Sequence, residues 1–207
     1  RIEHDFLGEM VIPADIYYGI QTYRALENFK ISGISISTLP YFIKGLACVK
    51  KAAALANTQL GVLEKNKCEA ICKACDEILA GKLHDQFPLD VFQGGAGTSC
   101  NMNANEVIAN RALEIMGYKK GQYEYCHPNN DVNCSQSTND AYPTALRIAL
   151  YAQLTTFIDD LNYLRTAFEK KAQELNDVIK MGRTQLQDAV PMTLGMEFSA
   201  FADTVYE

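Results

Sequence analysis

The chain has 207 residues, of which 48% are hydrophobic and 21% charged, enough for one substantial core or for one domain and part of another. A net charge of −6 without a basic cluster argues against nucleic acid as a partner. No apolar run approaches the roughly 18 residues of a membrane span, so no membrane association is expected.

In chain order, residues 1–38 mix β-prone pieces, "MVIPAD" and "FKISGISIS", with turn signals; the first ten residues hold no signal-peptide core and no starting Met, suggesting a trimmed start. Helical spacing begins after Pro40, where Phe42, Leu46, Val49, Ala53, Ala56 and Leu60 step by four and three and Gly61 sits as a C-terminal cap. A second helix is predicted from about Glu64 to Leu79, stopping at Gly81, and a third from about Asn101 to Met116, closed by Gly117. Between them, "HDQFPLDVFQGGAGTSC" breaks the pattern.

The long element comes next. Leu146, Leu150, Leu154, Phe157, Leu161, Leu164, Phe168, Ala172 and Leu175 keep the helical step with no Gly or Pro after Pro143. At 1.5 Å per residue this helix is about 45 Å long, the length of a bundle helix. The stretch "MGRTQLQDAVPMTLG" reads as a loop, and Phe198, Phe201, Ala202 and Val205 open another helix. The expected fold is mainly α: a small α domain with short β-hairpin pieces over residues 1–139, then the first one to two long helices of a bundle over 140–207. One and a half long helices cannot close a bundle, so this is expected to be an N-terminal piece of a longer protein.

"CEAICKAC" spaces Cys68, Cys72 and Cys75 as in cluster-binding radical enzymes, yet the same residues form the apolar stripe of the second helix. Free Cys packs as a small hydrophobe, so core packing is the preferred reading and no metal ligation is expected there. Seven cysteines without a secretory signal read as reduced thiols, which places the protein in the cytoplasm. "QGGAGTSCNMN" fits neither the P-loop nor the dinucleotide fingerprint. It reads as a loop letting backbone approach a small anion, with Thr98 and Ser99 as donors, or as a turn and cap.

"SQSTND", residues 135–140, holds more hydroxyls and amides than one helix cap needs. "GRTQLQDAVP" adds Arg183, Thr184 and Gln185. Only three His are present, and no nucleophile–base pair stands out. Neutral donors at helix ends suit stabilisation of an oxyanion.

The segments "GEMVIPADIYYGIQTYRALENF", "QGGAGTSCNMNANEVIANRALEIMG", "HPNNDVNCSQSTNDAYPTALRIA" and "GRTQLQDAVPMTLGMEF" resemble the aspartase/class II fumarase superfamily. "QGGAGTS", "QSTND" and "GRTQLQ" lie closer to its aspartase branch than to fumarases. The resemblance implies reversible deamination of L-aspartate to fumarate and ammonia by anti β-elimination through an aci-carboxylate. It implies a small dicarboxylate substrate held by Thr98, Ser137, Thr138, Asn139, Thr184 and Gln185. It further implies a homotetramer and no cofactor, with activation by a divalent metal such as Mg left open. Gln185 stands where many relatives have His. In "HPNNDVN", Asn130 replaces the acid of the fumarase anion turn, so no second site is expected around His127. The family's serine base sits on a glycine-rich loop that residues 1–207 lack, so no catalytic base is expected here and the chain alone should be inactive. Fumarate hydratase is the alternative activity, and a helical scaffold whose loops are merely caps is the non-enzyme alternative.

Overall fold

A computed structural model describes all residues, 1–207, and divides them into two compact units, Arg1–Leu150 and Tyr151–Glu207. The chain is mainly α. The first unit opens with an antiparallel hairpin of β1 (Ile2–Asp5) and β2 (Gly8–Val11), in the register Ile2 to Val11. Helices α1 (Ile20–Asn28), α2 (Pro40–Gln59), α3 (Lys65–Leu79) and α4 (Thr98–Ile115) follow, and α5 (Thr138–Glu174) begins in this unit.

Helix α4 is the centre of the unit. Val107, Ile108, Ala112 and Leu113 are buried among Ile43 and Leu46 of α2 and Ile71, Ala74 and Ile78 of α3. Its polar residues are buried too, and most of them pin distant loops. Glu106 accepts from the Gly19, Gln21 and Thr22 amides at 2.9, 2.9 and 3.1 Å and from Thr22 Oγ1 at 2.6 Å. Glu3 takes the Ile20 amide at 2.9 Å, so two buried carboxylates cap α1 from outside it. Burial pushes the Glu106 carboxyl up to about 7 against those four donors. Asn110 donates to Tyr17 O at 2.7 Å and accepts from the Gly121 amide at 2.8 Å.

Several expectations are corrected. Helix α1 is absent from the spacing reading. "FKISGISIS" is no strand: Asp90 gathers the amides of Ile31, Ser32, Gly33 and Phe92 within 3.2 Å, which folds residues 31–35 into a turn with a single bridge from Ser35 to Asp90. Burial opposes ionisation of Asp90, and these donors still hold its carboxyl below the usual range. The buried face of α2 is turned from the expected stripe: Ala56 and Leu60 are exposed, while Lys50 and Asn57 are buried beside Ile43, Leu46, Ala47 and Ala54. The first turn of α4 starts at Thr98, three residues early, and Pro143 lies in the second turn of α5.

The packing reading of the cysteines agrees with the structure. Cys68 and Cys75 are buried in the core and Cys72 is half-buried against it, with Cys68 and Cys72 sulfurs 3.9 Å apart. Burial pushes the Cys72 thiol up to about 11 and Cys75 higher still. Such thiols resist the deprotonation that metal ligation requires.

In the second unit α5 continues from Tyr151, followed by β3 (Ile179–Thr184), β4 (Gln187–Thr193) and α6 (Leu194–Tyr206). "MGRTQLQDAVPMTLG" is therefore an antiparallel hairpin and not a loop, bulged between Met181 and Arg183. Phe168, Phe198 and Phe201 form an aromatic cluster with ring centroids 5.8–6.1 Å apart. Leu154, Phe157 and Leu164 of the long helix are exposed.

Candidate active site

Two helix starts meet in the first unit. Helix α4 begins at Gly97, whose φ of +87° is left-handed; a Cβ there would also run into the Tyr142 ring, so both conformation and space require glycine. No side chain caps this start from Gly97. Gln93 folds back instead, its Oε1 accepting from the Cys100 amide at 2.8 Å. The Thr98 and Ser99 amides remain as open donors at the positive end of the helix.

At α5 the run Ser135–Asp140 divides its labour. Ser137 Oγ accepts from the Asn139 amide at 3.1 Å and Asp140 Oδ2 accepts from the Ser137 amide at 3.2 Å, a reciprocal capping box. Gln136 braces the loop, donating to Val132 O at 2.9 Å and Cys134 O at 3.1 Å. Thr138 Oγ1 accepts from Asn101 Nδ2 at 3.1 Å, which leaves its own proton free. The exposed Asn139 side chain makes no hydrogen bond within the protein. Two members of the run thus keep wholly uncommitted donors, the Thr138 hydroxyl and the Asn139 amide, and Ser137 keeps its hydroxyl proton.

Behind the run lies a buried amine. Lys50 Nζ donates to Asn133 Oδ1 at 2.8 Å and to Gln136 Oε1 at 2.9 Å. Asn133 Oδ1 also takes Asn101 Nδ2 at 3.1 Å, joining α2, the loop before α5 and the first turn of α4. Burial pulls the Lys50 amine down to about 7, for its hydrogen-bond acceptors are neutral amides. Helix α2 crosses α5 closely at Gly45, where a Cβ would run into Ala145 O.

A cleft of about 430 Å³ opens between the two helix starts, lined by Phe92, Gln93, Gly95, Gly97, Asn139 and Tyr142 among others. None of its lining residues carries a formal charge. Two helix N-termini and neutral donors border it, features that favour an anion. The Tyr142 ring is held edge-on to Phe42, centroids 5.1 Å apart.

Of the expected substrate residues, Thr98, Ser137, Thr138 and Asn139 stand at these two helix starts, and Asn139 faces the cleft. Thr184 and Gln185 belong to the second unit, where both are exposed; Gln185 (φ +50°) and Leu186 (φ +64°) form the β3–β4 turn. His127 is taken up locally: Nδ1 accepts from the Asn129 and Asn130 amides at 3.0 and 3.2 Å, capping a π-helical turn over Pro128–Val132. Asp131 pairs with Lys67 at 3.0 Å. Burial lowers the His127 pKa.

The site residues that spacing did not single out are Lys50, Asn101, Asn133 and Tyr142. One signal was present: a Lys three or four positions from Leu46, Ala47 and Ala54 lies on the core face of its helix, where an amine needs a partner.

The chain is 61% identical over 202 residues to an aspartate ammonia-lyase of Helicobacter pylori (strain J99), covering 98% of this chain and 43% of that protein. It is 60% identical over 203 residues to the aspartate ammonia-lyase of Escherichia coli (strain K12), covering 98% of this chain and 42% of that one. A crystal structure of a fumarate lyase:delta crystallin from Brucella melitensis superimposes with a TM-score of 0.93 at 58% identity, over 100% of this chain and 46% of that one. The class II fumarase of Schistosoma mansoni superimposes with a TM-score of 0.86 at 38% identity, over 100% and 43%. The chain thus spans under half the length of the relatives it matches. A family model described as lyase matches residues 8–207, nearly the whole length, and the chain belongs to that lyase family.

Proposed function

We propose that this chain is the N-terminal part of an aspartate ammonia-lyase and supplies much of its substrate-carboxylate site. In this reading a proton leaves C3 of L-aspartate, beside the β-carboxylate. The electron pair moves onto that carboxylate as an aci-carboxylate, then returns to form the C2–C3 double bond as the C–N bond breaks and ammonia departs. The difficult species carries two negative charges on one carboxyl group. Preorganised donors favour it, and losing one costs ~3–4 kcal/mol, about a hundred- to thousandfold in rate. The observation that carries the reading is the pair of uncommitted donors, the Thr138 hydroxyl and the Asn139 amide, at a helix start that shares a cleft with the open start of α4. The identity of about 60% to proteins named aspartate ammonia-lyase supports it.

Ser137, Thr98, Thr184 and Gln185 complete the proposed donor set. Residues 1–207 hold no serine loop of the family type, so the proton acceptor is proposed to come from outside them, and the 207-residue chain alone should release no ammonia. The working protein is proposed to be a cytoplasmic homotetramer that needs no cofactor. A fumarate hydratase is the second reading, favoured by the match to the Schistosoma mansoni fumarase. Both are tested on the product of the complete reading frame containing this sequence. Ammonia release from L-aspartate, with and without EDTA and added Mg²⁺, is the expected result. Hydration of fumarate without deamination would establish the second reading, and neither activity would refute both.

A further inference from the structure

We propose that Asn101 is a positioning residue for this reaction: held by Asn133, it donates to Thr138 Oγ1 and so commits the Thr138 hydroxyl proton to the substrate. The proposal rests on the lyase reading above for its consequence, but its geometry stands on the hydrogen bonds alone.

The orientation of two amides follows from a carbonyl and an amine. Lys50 donates to both of its neighbours, Asn133 Oδ1 at 2.8 Å and Gln136 Oε1 at 2.9 Å, and the Gln136 main-chain carbonyl, which can only accept, faces the other end of the Asn133 amide. Asn133 must therefore present its oxygen, and its nitrogen is used elsewhere, donating to Gln136 O at 3.0 Å. Asn101 faces that same oxygen at 3.1 Å, so it must present its NH₂ group. The other hydrogen of that NH₂ meets Thr138 Oγ1 at 3.1 Å. An amide nitrogen only donates, so Thr138 accepts and its O–H points away from Asn101.

The usual internal outlet for that proton is closed. A Thr hydroxyl on a helix commonly donates to the carbonyl four residues upstream. Thr138 opens α5, so the residue four back, Cys134, lies before the helix, and its carbonyl is taken by Asn57 Nδ2 at 2.9 Å and Gln136 Nε2 at 3.1 Å. The price of the arrangement is visible: Asn101 Oδ1 is buried without any donor.

The test is a double-mutant cycle of Asn101→Ala and Thr138→Val in the product of the complete reading frame, read as kcat/KM for L-aspartate. Each single change should lower kcat/KM about tenfold or more, and the double variant should be no worse than Thr138→Val. Multiplying effects would show that Asn101 acts only through structure and would overturn the proposal. The near-isosteric Asn101→Asp covers the case in which Ala does not fold. Its carboxylate accepts the hydroxyl proton, so the loss should at least equal that of Thr138→Val; full activity would overturn the proposal. Methyl three-bond couplings of Thr138 in the product of the complete reading frame give a readout free of turnover. One rotamer is expected in the parent and averaging in Asn101→Ala, and an unchanged single rotamer refutes the relay. Absence of lyase turnover with this averaging would sink the function and leave the relay standing.

Discussion

Replacing Lys50 by Met tests the buried amine through its pH dependence. The Lys50 ammonium is lost from the folded protein at about pH 7, whereas in the unfolded chain it persists to an ordinary value of 10.5. The folded pKa is depressed, so the stability linked to this group is present above about 10.5 and is lost as pH falls through about 7. Between these limits the wild type should lose ~1.4 kcal/mol per pH unit on acidification relative to Lys50→Met, which has nothing to titrate. From about pH 9.5 to about pH 7 that is ~3 kcal/mol. The variant carries a separate, pH-independent cost. Met strands Gln136 Oε1, at ~1–3 kcal/mol, while Asn133 Oδ1 keeps its bond from Asn101. Wild type should therefore exceed the variant by most at high pH, and the gap should narrow toward neutrality. The buried thiols lose stability above about pH 9 in both proteins and cancel in the difference. Urea denaturation of both chains at half-unit steps measures the gap. A gap constant from about pH 7 to about pH 9.5 would mean that Lys50 stays charged throughout, and the reasoning from burial would fail.

The two ends of the "STN" stretch should separate cap from ligand contact. Ser137→Ala should cost ~1 kcal/mol of stability in urea, because its hydroxyl caps α5. Asn139→Ala should shift stability by less than ~0.5 kcal/mol while lowering kcat/KM for L-aspartate about a hundredfold; equal activity of Asn139→Ala and wild type would remove it from the site. Gly97→Ala should destabilise by ~1–2 kcal/mol for its left-handed backbone, with a further ~1–3 kcal/mol for the collision with Tyr142. An unchanged melting temperature would contradict both terms. Among the seven thiols, Cys75 should be among the last alkylated by iodoacetamide in the native chain and Cys134 among the first, read by peptide mass mapping. Equal rates at the two would show that the α3 core opens freely.

What the sequence by itself determined was set by local periodicity. The apolar spacing around Leu46 and Leu146 announced α2 and α5, because a 3.6-residue repeat of apolar side chains survives in any packing that buries one face. The polar run at residues 135–140 likewise marked the start of α5, whereas α4 was expected three residues late. The tertiary structure decided the rest, through partners far away in the chain. Helix α1 was hidden because its N-terminus is capped by Glu3 and Glu106, the latter 87 residues from Gly19. Hairpin β3–β4 was hidden because its turn uses Gln185 and Leu186 at positive φ in place of the Asn-Gly that usually signals one. The buried face of α2 turned from its apolar stripe because Lys50 and Asn57 found acceptors on the loop before α5. The division of the polar run into caps, a brace and free donors was likewise invisible from residue types, since Ser, Thr, Asn and Gln can each play any of those parts. A buried polar group must find its partner, and only the folded chain brings Lys50, Asn101 and Asn133 together behind Thr138.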